Sequence, residues 1–244
     1  MTSTPRAAGT ADDPAIQAVA TLAVASIQDG ARIGLGSGRA ATAFITKLGE
    51  RCRAGLKVSG VATSRASEAA ARQAGIPLIE LGTGGPLDLT VDGADEVSPE
   101  LDLVKGWGGA LVRERIVAAA SREQVILVGP DKLVRALGER GRIPVEVIPL
   151  ADWQVERELR TLGVVPILRM DAGRGQAYVT DNGNHIFDCV PARPLRDGQD
   201  ARALERTLRA IVGVVDTGFF LGTASRVLVG HPDGKVDTMV RQGR

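Results

Sequence analysis

Short apolar runs alternate with amphipathic stretches along the first 130 residues or so. The runs ARIGLG, KVSGVAT, IPLIEL, LDLTVDG and QVILVG have the composition of short buried strands. Between them, ATAFITKLGERC, SRASEAAARQAG and GALVRERIVAAASR show helical spacing, and an earlier helix is predicted from Asp12-Asp13-Pro14 to about Gln28. Strands that alternate with helices in this way predict a parallel sheet covered on both faces.

The pattern changes after KLVRALGERGRIPVEVIPLA. DWQVERELRTLG and DARALERTLRAIVG predict helices, and QAYVTDNGNHIFDC predicts a hairpin, because Asn182-Gly183 suits a type I′ turn. VDTGFFLG and RVLVGHPDGKVDTM are expected to return to the parallel sheet. We therefore predict an α/β fold, with a Rossmann-like, doubly wound and mostly parallel sheet and a small inserted α+β domain. The predicted divisions are a flexible arm (1–13), the sheet domain (14–140 and 213–244) and the insertion (141–212).

Composition and charge limit the classes of function. The chain of 244 residues is 44% hydrophobic and 24% charged, with a net charge of +1, so no strong field attracts nucleic acid or a membrane. The stretch AIQAVATLAVASI is too short to span a bilayer, and the N-terminus lacks the apolar core of a signal peptide. Cys52 and Cys189 indicate neither a disulfide framework nor a metal site. We expect a cytoplasmic protein.

A glycine-rich turn, GLGSGRAATA, joins the first strand to the next helix. Gly36, Ser37 and Gly38 would leave backbone N–H groups exposed at a helix N-terminus, which suits a phosphate, and Arg39 adds a cation. The same turn fits a loose dinucleotide pattern ending at Ala41, but VATSRAS has no acid where that pattern requires one. The hydroxyls of VATSRAS are expected mainly to cap a helix. A tight turn without a ligand is the remaining alternative.

Three carboxylates follow an apolar run in LTVDGADEV. Asp92 is expected at the end of a strand, and Gly93 permits a bend that lets Asp92 and Asp95 face one cavity. Ligands of open parallel sheets bind outside the carboxyl ends of the strands, which is where this segment is predicted to lie. Each acid alone is more often a cap or a solvated group, and Glu96 is interpreted as solvated.

The segment LVKGWGGALVRERIV adds a lysine and a candidate base. Lys105 is predicted at another strand end, and Glu114 shares a helical stripe with Leu111 and Ala118. Partial burial would raise the pKa of Glu114 towards the range of a general base, whereas a structural ion pair with an arginine is the alternative. These residue types suit proton transfer beside a carbonyl: Glu114 would move a proton between adjacent carbons, and Lys105 would stabilise an enediolate oxygen. Such chemistry needs no redox cofactor or metal.

From about Ala15 to its C-terminus the chain resembles ribose-5-phosphate isomerase, type A. The resemblance rests on the segments GLGSG, AGIPL, TVDGADEV, KGWGGALVRERI, IPVEVIP, VTDNGNHIFDC and GHPDGKV. It implies cofactor-free interconversion of ribose 5-phosphate and ribulose 5-phosphate through a cis-enediol. It also implies a Rossmann-like domain with an inserted ferredoxin-like domain, assembled as a dimer or tetramer. The family's general base corresponds to Glu114 and its oxyanion-stabilising lysine to Lys105. Its motif aspartates correspond to Asp92 and Asp95.

The predicted substrate-binding residues are Gly36, Ser37, Gly38, Arg39, Ala40, Gly93, Gly106, Gly108 and Lys132. Family members typically read GTGST where this chain reads GSGRA, and AIQAV lacks the usual lysines. We hypothesise that Arg39 replaces both a hydroxyl and a cation at the phosphate. Trp107 stands where glycine is common and would either narrow or cover the pocket. Lys132 follows Pro130-Asp131, an altered form of the family's SK loop.

Other functions stay open at this point. An isomerase for a different aldose phosphate is suggested by Arg39, Ala40 and Trp107. A non-catalytic sugar-phosphate sensor domain would need a DNA-binding element, and the short N-terminal arm has no helix-turn-helix pattern. It would also have no use for Glu114 on an apolar stripe. A dinucleotide dehydrogenase is the third alternative.

Overall fold

A computed structural model describes residues 13–241. Residues 1–12 of the predicted N-terminal arm (1–13) therefore lie outside the described residues, whereas Asp13 caps the helix that begins at Pro14. In chain order the strands are β1 (Arg32–Leu35), β2 (Ser59–Ala62), β3 (Leu89–Gly93), β4 (Glu96–Val97), β5 (Leu103–Val104), β6 (Gln124–Val128), β7 (Ile143–Val147), β8 (Val164–Leu168), β9 (His185–Pro191), β10 (Val214–Thr217), β11 (Phe219–Phe220), β12 (Arg226–Gly230) and β13 (Val236–Val240). The helices are α1 (Pro14–Ala25), α2 (Arg39–Arg53), α3 (Arg65–Ala74), α4 (Leu111–Ala119), α5 (Asp152–Thr161) and α6 (Gly198–Arg209).

Among the described residues, six strands form the main sheet, in the order β13-β12-β6-β3-β1-β2. The pairs β12–β6, β6–β3, β3–β1 and β1–β2 are parallel, and only β13 is antiparallel to its neighbour. From β1 the chain moves to one side for β2 and then returns to the other side for β3. The strand order therefore reverses between β1 and β3, which creates a crevice at their carboxyl ends.

Helices cover both faces of this sheet. On one face, Val19 of α1 and Phe44 of α2 pack in a core that includes Ile33 and Leu35 of β1. On the other, a Cβ added to Gly34 would lie 2.5 Å from Val117 of α4. Successive residues of a strand face opposite sides, so α4 and the pair α1–α2 lie on opposite faces. The predicted doubly wound α/β fold is confirmed.

A second, four-stranded sheet has the order β10-β7-β9-β8 and is antiparallel throughout. With α5 and α6 it follows the chain order βαββαβ, the ferredoxin-like arrangement. The apolar sides of its strands and helices share one core, which includes Val145, Leu159, Phe187 and Leu208. The predicted boundaries of this inserted domain stay a prediction.

Three local predictions are wrong. IPLIEL forms no strand, because its contact with the sheet is a single bridge between Leu78 and Gly60. In QAYVTDNGNHIFDC only the second half is a strand. Because β7 and β8 occupy both edges of β9, the first half cannot pair with β9 and makes an isolated bridge from Ala177 to Met170 instead. VDTGFFLG does not join the parallel sheet. It divides at Gly218 into β10, which pairs with β7, and β11, which pairs with β5.

Candidate active site

The glycine turn after β1 lies directly against the end of β3. A Cβ added to Gly36 would lie 2.3 Å from Asp92 Oδ1, so only glycine fits there. The Ser37 backbone N–H donates to the same oxygen at 3.0 Å. Gly38 has φ +85° and caps α2 without a side-chain hydrogen bond, so the first N–H groups of α2 lack a side-chain cap. The sequence thus produces the exposed helix N-terminus that was predicted.

Lys105 lies between two carboxylates beneath this turn. Its Nζ is 3.0 Å from Asp92 Oδ2 and 3.3 Å from Glu114 Oε2, and it donates to the Gly93 carbonyl oxygen at 2.5 Å. The side chains of Asp92, Lys105 and Glu114 are only 2%, 3% and 6% exposed. The hydrogen bond to Gly93 and the ion pairs with the two carboxylates restrain the buried ammonium. Lys105 is therefore fixed in one position, and the partner of Glu114 is a lysine and not an arginine.

Burial and neighbouring charges set the protonation of this cluster. Burial, reinforced by the negative charge of Asp92, raises the pKa of Glu114 to about 8 although Lys105 opposes the shift. Burial alone would lower the pKa of Lys105, but attraction by Asp92 and Glu114 outweighs it and raises that pKa. Near neutral pH, Lys105 is charged and Glu114 exchanges its proton readily. These are the properties of a general base beside a fixed cation.

Asp95 projects from the bend after β3. Its Oδ2 accepts a hydrogen bond from the Trp107 backbone N–H at 2.9 Å, while burial raises the pKa of Asp95. The backbone N–H of Asp95 donates to Val104 at 2.9 Å, which ties the bend to β5. Asp95 thus lies on the loop that connects the two segments predicted to carry the chemistry.

A cavity of about 520 Å³ opens above this cluster, at the carboxyl ends of the strands. Of the predicted site residues it is lined by Ser37, Gly38, Arg39, Ala40, Gly93, Asp95, Lys105, Gly106, Gly108, Glu114 and Lys132. Asp92 and Gly36 lie beneath the cavity instead of lining it, because Asp92 accepts hydrogen bonds from Ser37 and Gly93 and pairs with Lys105. The expectation that Asp92 and Asp95 both face the cavity therefore holds for Asp95 alone.

Cations concentrate on the rim of the cavity. Lys132 lies in a short 3₁₀ helix, Pro130–Lys132, where burial and then the nearby Arg140 lower its pKa. Its Nζ is 3.6 Å from Asp131. Arg39, at the start of α2, and Arg140 line the same cavity. Sequence reasoning missed Arg140, because nothing in KLVRALGERGR distinguishes it from Arg135.

Glu96 contradicts the expectation that it is solvated. It is fully buried, and its carboxylate accepts backbone hydrogen bonds from Gly138 at 2.5 Å and from Arg140 at 2.7 Å. Burial raises the pKa of Glu96. A buried carboxylate needs such donors to offset its loss of hydration. The donors lie 42 and 44 positions further along the chain, so LTVDGADEV itself gave no signal of them.

Trp107 neither narrows nor covers the cavity, which its backbone neighbours Gly106 and Gly108 line. Its ring centroid lies 5.2 Å from the guanidinium carbon of Arg140 and 4.5 Å from that of Arg142. Its indole N–H donates to the Arg142 carbonyl oxygen at 3.2 Å. Trp107 thus packs against the 138–142 loop beside the cavity.

Residues 13–241 contain neither a metal-binding cluster nor a membrane-spanning helix. No group of three or more His, Cys, Asp and Glu side chains there is arranged to hold a metal ion. No helix there has the length and apolar character needed to cross a membrane.

The site and fold together define a class of protein. A carboxylate of raised pKa beside a fixed lysine suits proton transfer next to a carbonyl. β2 ends at Ala62 and is followed by Thr63 and Ser64, without the acid that a dinucleotide enzyme places there. The protein is therefore an α/β isomerase of the proton-transfer type.

Comparison with known proteins specifies the family. The model of the ribose 5-phosphate isomerase A (phosphoriboisomerase A) family matches residues 59–234. Ribose-5-phosphate isomerase A of Deinococcus radiodurans is 46% identical over 214 residues, which cover 86% of this chain and 91% of the relative. The Gloeobacter violaceus relative of the same name is 45% identical over 221 residues, covering 89% and 93%.

Solved structures agree with these relatives. The structure of ribose 5-phosphate isomerase A from Methanocaldococcus jannaschii aligns with a TM-score of 0.87 at 39% identity, covering 95% of this chain and all of that one. The chain belongs to the ribose 5-phosphate isomerase A family, as the sequence segments predicted.

Proposed function

We propose that this protein interconverts D-ribose 5-phosphate and D-ribulose 5-phosphate through a cis-enediol, using its own side chains and no cofactor. The observation that carries the proposal is the contact of Glu114 with Lys105 at the floor of a cavity with a cationic rim. A further solved relative, 34% identical with a TM-score of 0.87, is a D-ribose-5-phosphate isomerase in complex with phospho-erythronic acid. The planar carboxylate of that compound resembles an enediolate, which supports the same chemistry here.

Glu114 is the base in this mechanism. Its carboxylate takes the proton from C2 of the open-chain aldose, and the C2–H electron pair forms the C1=C2 double bond while the carbonyl electrons move to O1. The ammonium of Lys105 stabilises the negative charge on O1, because it is held in place before the charge develops. Glu114 then returns its proton to C1, and the hydroxyl proton of O2 passes to O1, which leaves the ketone at C2.

The two aspartates have different roles in this proposal. Asp95 lines the cavity and has a raised pKa, so it is suited to exchanging protons with the sugar hydroxyls during ring opening and enediol formation. Asp92 has no free oxygen, since it accepts from Ser37 and Gly93 and pairs with Lys105. We assign Asp92 the task of positioning and charging Lys105.

The phosphate would bind at the other end of the cavity. The N-terminus of α2 presents backbone N–H groups beginning at Gly38, and a helix N-terminus favours an anion. Arg39 and Lys132 line the cavity there and supply positive charge. The family's phosphate turn is thus retained in its backbone, while Arg39 takes the place of a hydroxyl.

The experiment is a panel of aldose 5-phosphates and 6-phosphates with the purified protein and its Glu114→Gln variant. Ribose 5-phosphate should be the best substrate, and the variant should lose activity by about 10²–10⁴-fold, the usual contribution of a general base. A variant that keeps full activity would contradict the role of Glu114. Preference for another aldose phosphate would favour the second candidate, an isomerase of different specificity, which Arg39 and Ala40 in the cavity lining suggest.

We also propose a cytoplasmic homo-oligomer, a dimer or tetramer, that acts in the non-oxidative pentose phosphate pathway. Large apolar side chains of the inserted region are unusually exposed: Leu150 is 96% exposed, Val212 77% and Trp153 71%. Exposed apolar groups close together favour association. Light scattering on the purified protein measures the oligomeric state, and a monomer at micromolar concentration would contradict this part of the proposal.

A further inference from the structure

A loop that no part of the proposed chemistry uses reaches the rim of the cavity. Glu96, fully buried, accepts backbone hydrogen bonds from Gly138 and Arg140 and so ties residues 138–140 to β4. The Arg140 side chain in turn donates from Nη1 to the Asp95 carbonyl oxygen at 2.8 Å. A buried carboxylate with two backbone donors holds a loop firmly, because releasing either donor would leave a buried charge less well compensated.

Trp107 supports the same arginine from another side. The Arg140 guanidinium carbon lies 5.2 Å from the centroid of the Trp107 ring, and Lys132 Nζ lies 6.0 Å from it. Arg140 is exposed and is one of the residues that line the cavity. An arginine fixed by its backbone, one N–H and an aromatic face retains further N–H donors for a ligand.

Like charges converge at this rim. Arg39, Lys132 and Arg140 line one cavity, and both arginines act to lower the pKa of Lys132. Asp131, 3.6 Å from Lys132, compensates only part of this positive charge. Cations that repel one another in an open cavity are stabilised when an anion binds between them, and arginine binds a phosphate through two parallel hydrogen bonds.

We propose that Arg140 binds the phosphate group of the substrate together with Lys132, and that Glu96 and Trp107 hold Arg140 in position. This inference rests on the proposed function, since it assigns a further residue to the anion end of that cavity. Arg140 adds affinity for the phosphorylated sugar without taking part in proton transfer, because Glu114 and Lys105 act at the floor of the cavity.

The test is Arg140→Gln, assayed with ribose 5-phosphate and with inorganic phosphate as a competitive inhibitor. KM and the inhibition constant of phosphate should both rise about tenfold or more while kcat changes less than about threefold, as expected when a charged hydrogen bond to bound substrate is lost. Arg140→Lys should recover part of the affinity, since it restores the charge but not the paired donors. Unchanged KM and phosphate inhibition in Arg140→Gln would overturn the inference.

Arg142→Gln is the matched control. Arg142 stacks on the same ring at 4.5 Å, yet it pairs with Asp188 at 3.5 Å and is absent from the cavity lining. Arg142→Gln should leave KM unchanged. If Arg142→Gln and Arg140→Gln raise KM equally, packing of the 138–142 loop against Trp107 explains the effect, and direct binding by Arg140 is refuted. Glu96→Gln should reproduce the rise in KM with kcat spared, and combining it with Arg140→Gln should add little.

The outcome for the proposed function is separate. If the wild-type protein does not isomerise ribose 5-phosphate, the proposed function is refuted. The anion site would still be supported if inorganic phosphate raised the melting temperature of the wild type but not that of Arg140→Gln. Equal protection of both proteins by phosphate would refute it.

Discussion

Replacing Glu114 by glutamine removes a titrating group from the core and should change how stability depends on pH. In the folded protein burial raises the pKa of Glu114 to about 8, against an ordinary value of 4.5. When folding raises the pKa of a carboxyl group, its contribution to the unfolding free energy is complete at pH values below its pKa in the unfolded chain. This contribution is lost as the pH rises to its pKa in the folded protein. Between pH 4.5 and 8 the unfolded chain ionises Glu114 freely, whereas the folded chain keeps it largely protonated.

The magnitude follows from the shift. One pKa unit corresponds to about 1.4 kcal/mol, so a rise from 4.5 to about 8 costs the wild type about 5 kcal/mol of unfolding free energy over that interval. Glutamine has nearly the same size as protonated glutamate and does not titrate. The unfolding free energy of the variant, relative to that of the wild type, should therefore increase by about 1.4 kcal/mol per pH unit from pH 4.5 to 8. Above pH 8 this difference should stay constant.

Urea unfolding of both proteins at several pH values between 4 and 9 measures this difference. Glu50→Gln, at an exposed position of α2, is the control and should follow the wild type at every pH. If the curves of the wild type and Glu114→Gln run parallel across the whole range, Glu114 titrates as it would in water. The buried-base argument would then fail, whatever the activity of the variant.

Four other expectations concern activity and stability. The wild-type kcat/KM should rise with pH through about 8, because Glu114 acts as a base only when deprotonated; a profile flat from pH 6 to 9 would contradict this. Arg39→Ala should raise KM for ribose 5-phosphate far more than it lowers kcat, and steady-state kinetics showing an unchanged KM would reject its role at the phosphate. Gly36→Ala should lower the unfolding free energy by about 1–3 kcal/mol, because the new Cβ would lie 2.3 Å from Asp92 Oδ1; a stable variant in urea unfolding would be inconsistent with that contact. Glu146→Ala should cost about 3 kcal/mol or more in the same assay, because one buried oxygen accepts from the side chains of Thr180, Asn182 and Asn184; a loss below 1 kcal/mol would count against this network.

The position of the site could be predicted because it depends on local pattern and one topological rule. Alternating strands and helices place the turn at Gly36 and the end of the Asp92 strand at one edge of a parallel sheet. The helical stripe that Glu114 shares with Leu111 already indicated burial, and both residues are buried. Neither inference needed a contact between distant segments beyond the pairing of the strands.

Strand partners could not be predicted in the same way. An alternating segment such as QAYVT is compatible with a strand, but pairing also requires a free edge, and β7 and β8 occupy both edges of β9. Gly218 shows the same limit. Its N–H donates to Pro144 and its carbonyl accepts from Lys105, and at this residue the chain passes from β10 of the four-stranded sheet to β11, which pairs with β5. A Cβ there would lie 2.4 Å from the Lys105 carbonyl oxygen. Only the assembled structure reveals that requirement.

The three acids of DGADEV show why residue type and spacing leave roles undecided. Asp92 is surrounded by N–H groups from its own strand and the glycine turn, together with Lys105, so its charge holds the lysine. Asp95, three residues later, has one backbone donor and faces the cavity, so its proton is exchangeable. Glu96 points away from the cavity and accepts a hydrogen bond from the backbone N–H of Gly138, 42 positions further along the chain. Asp95 lies in the bend after β3, whereas Glu96 begins β4. The two acids therefore face different surroundings, and the surroundings decide which acid exchanges protons and which one holds a loop.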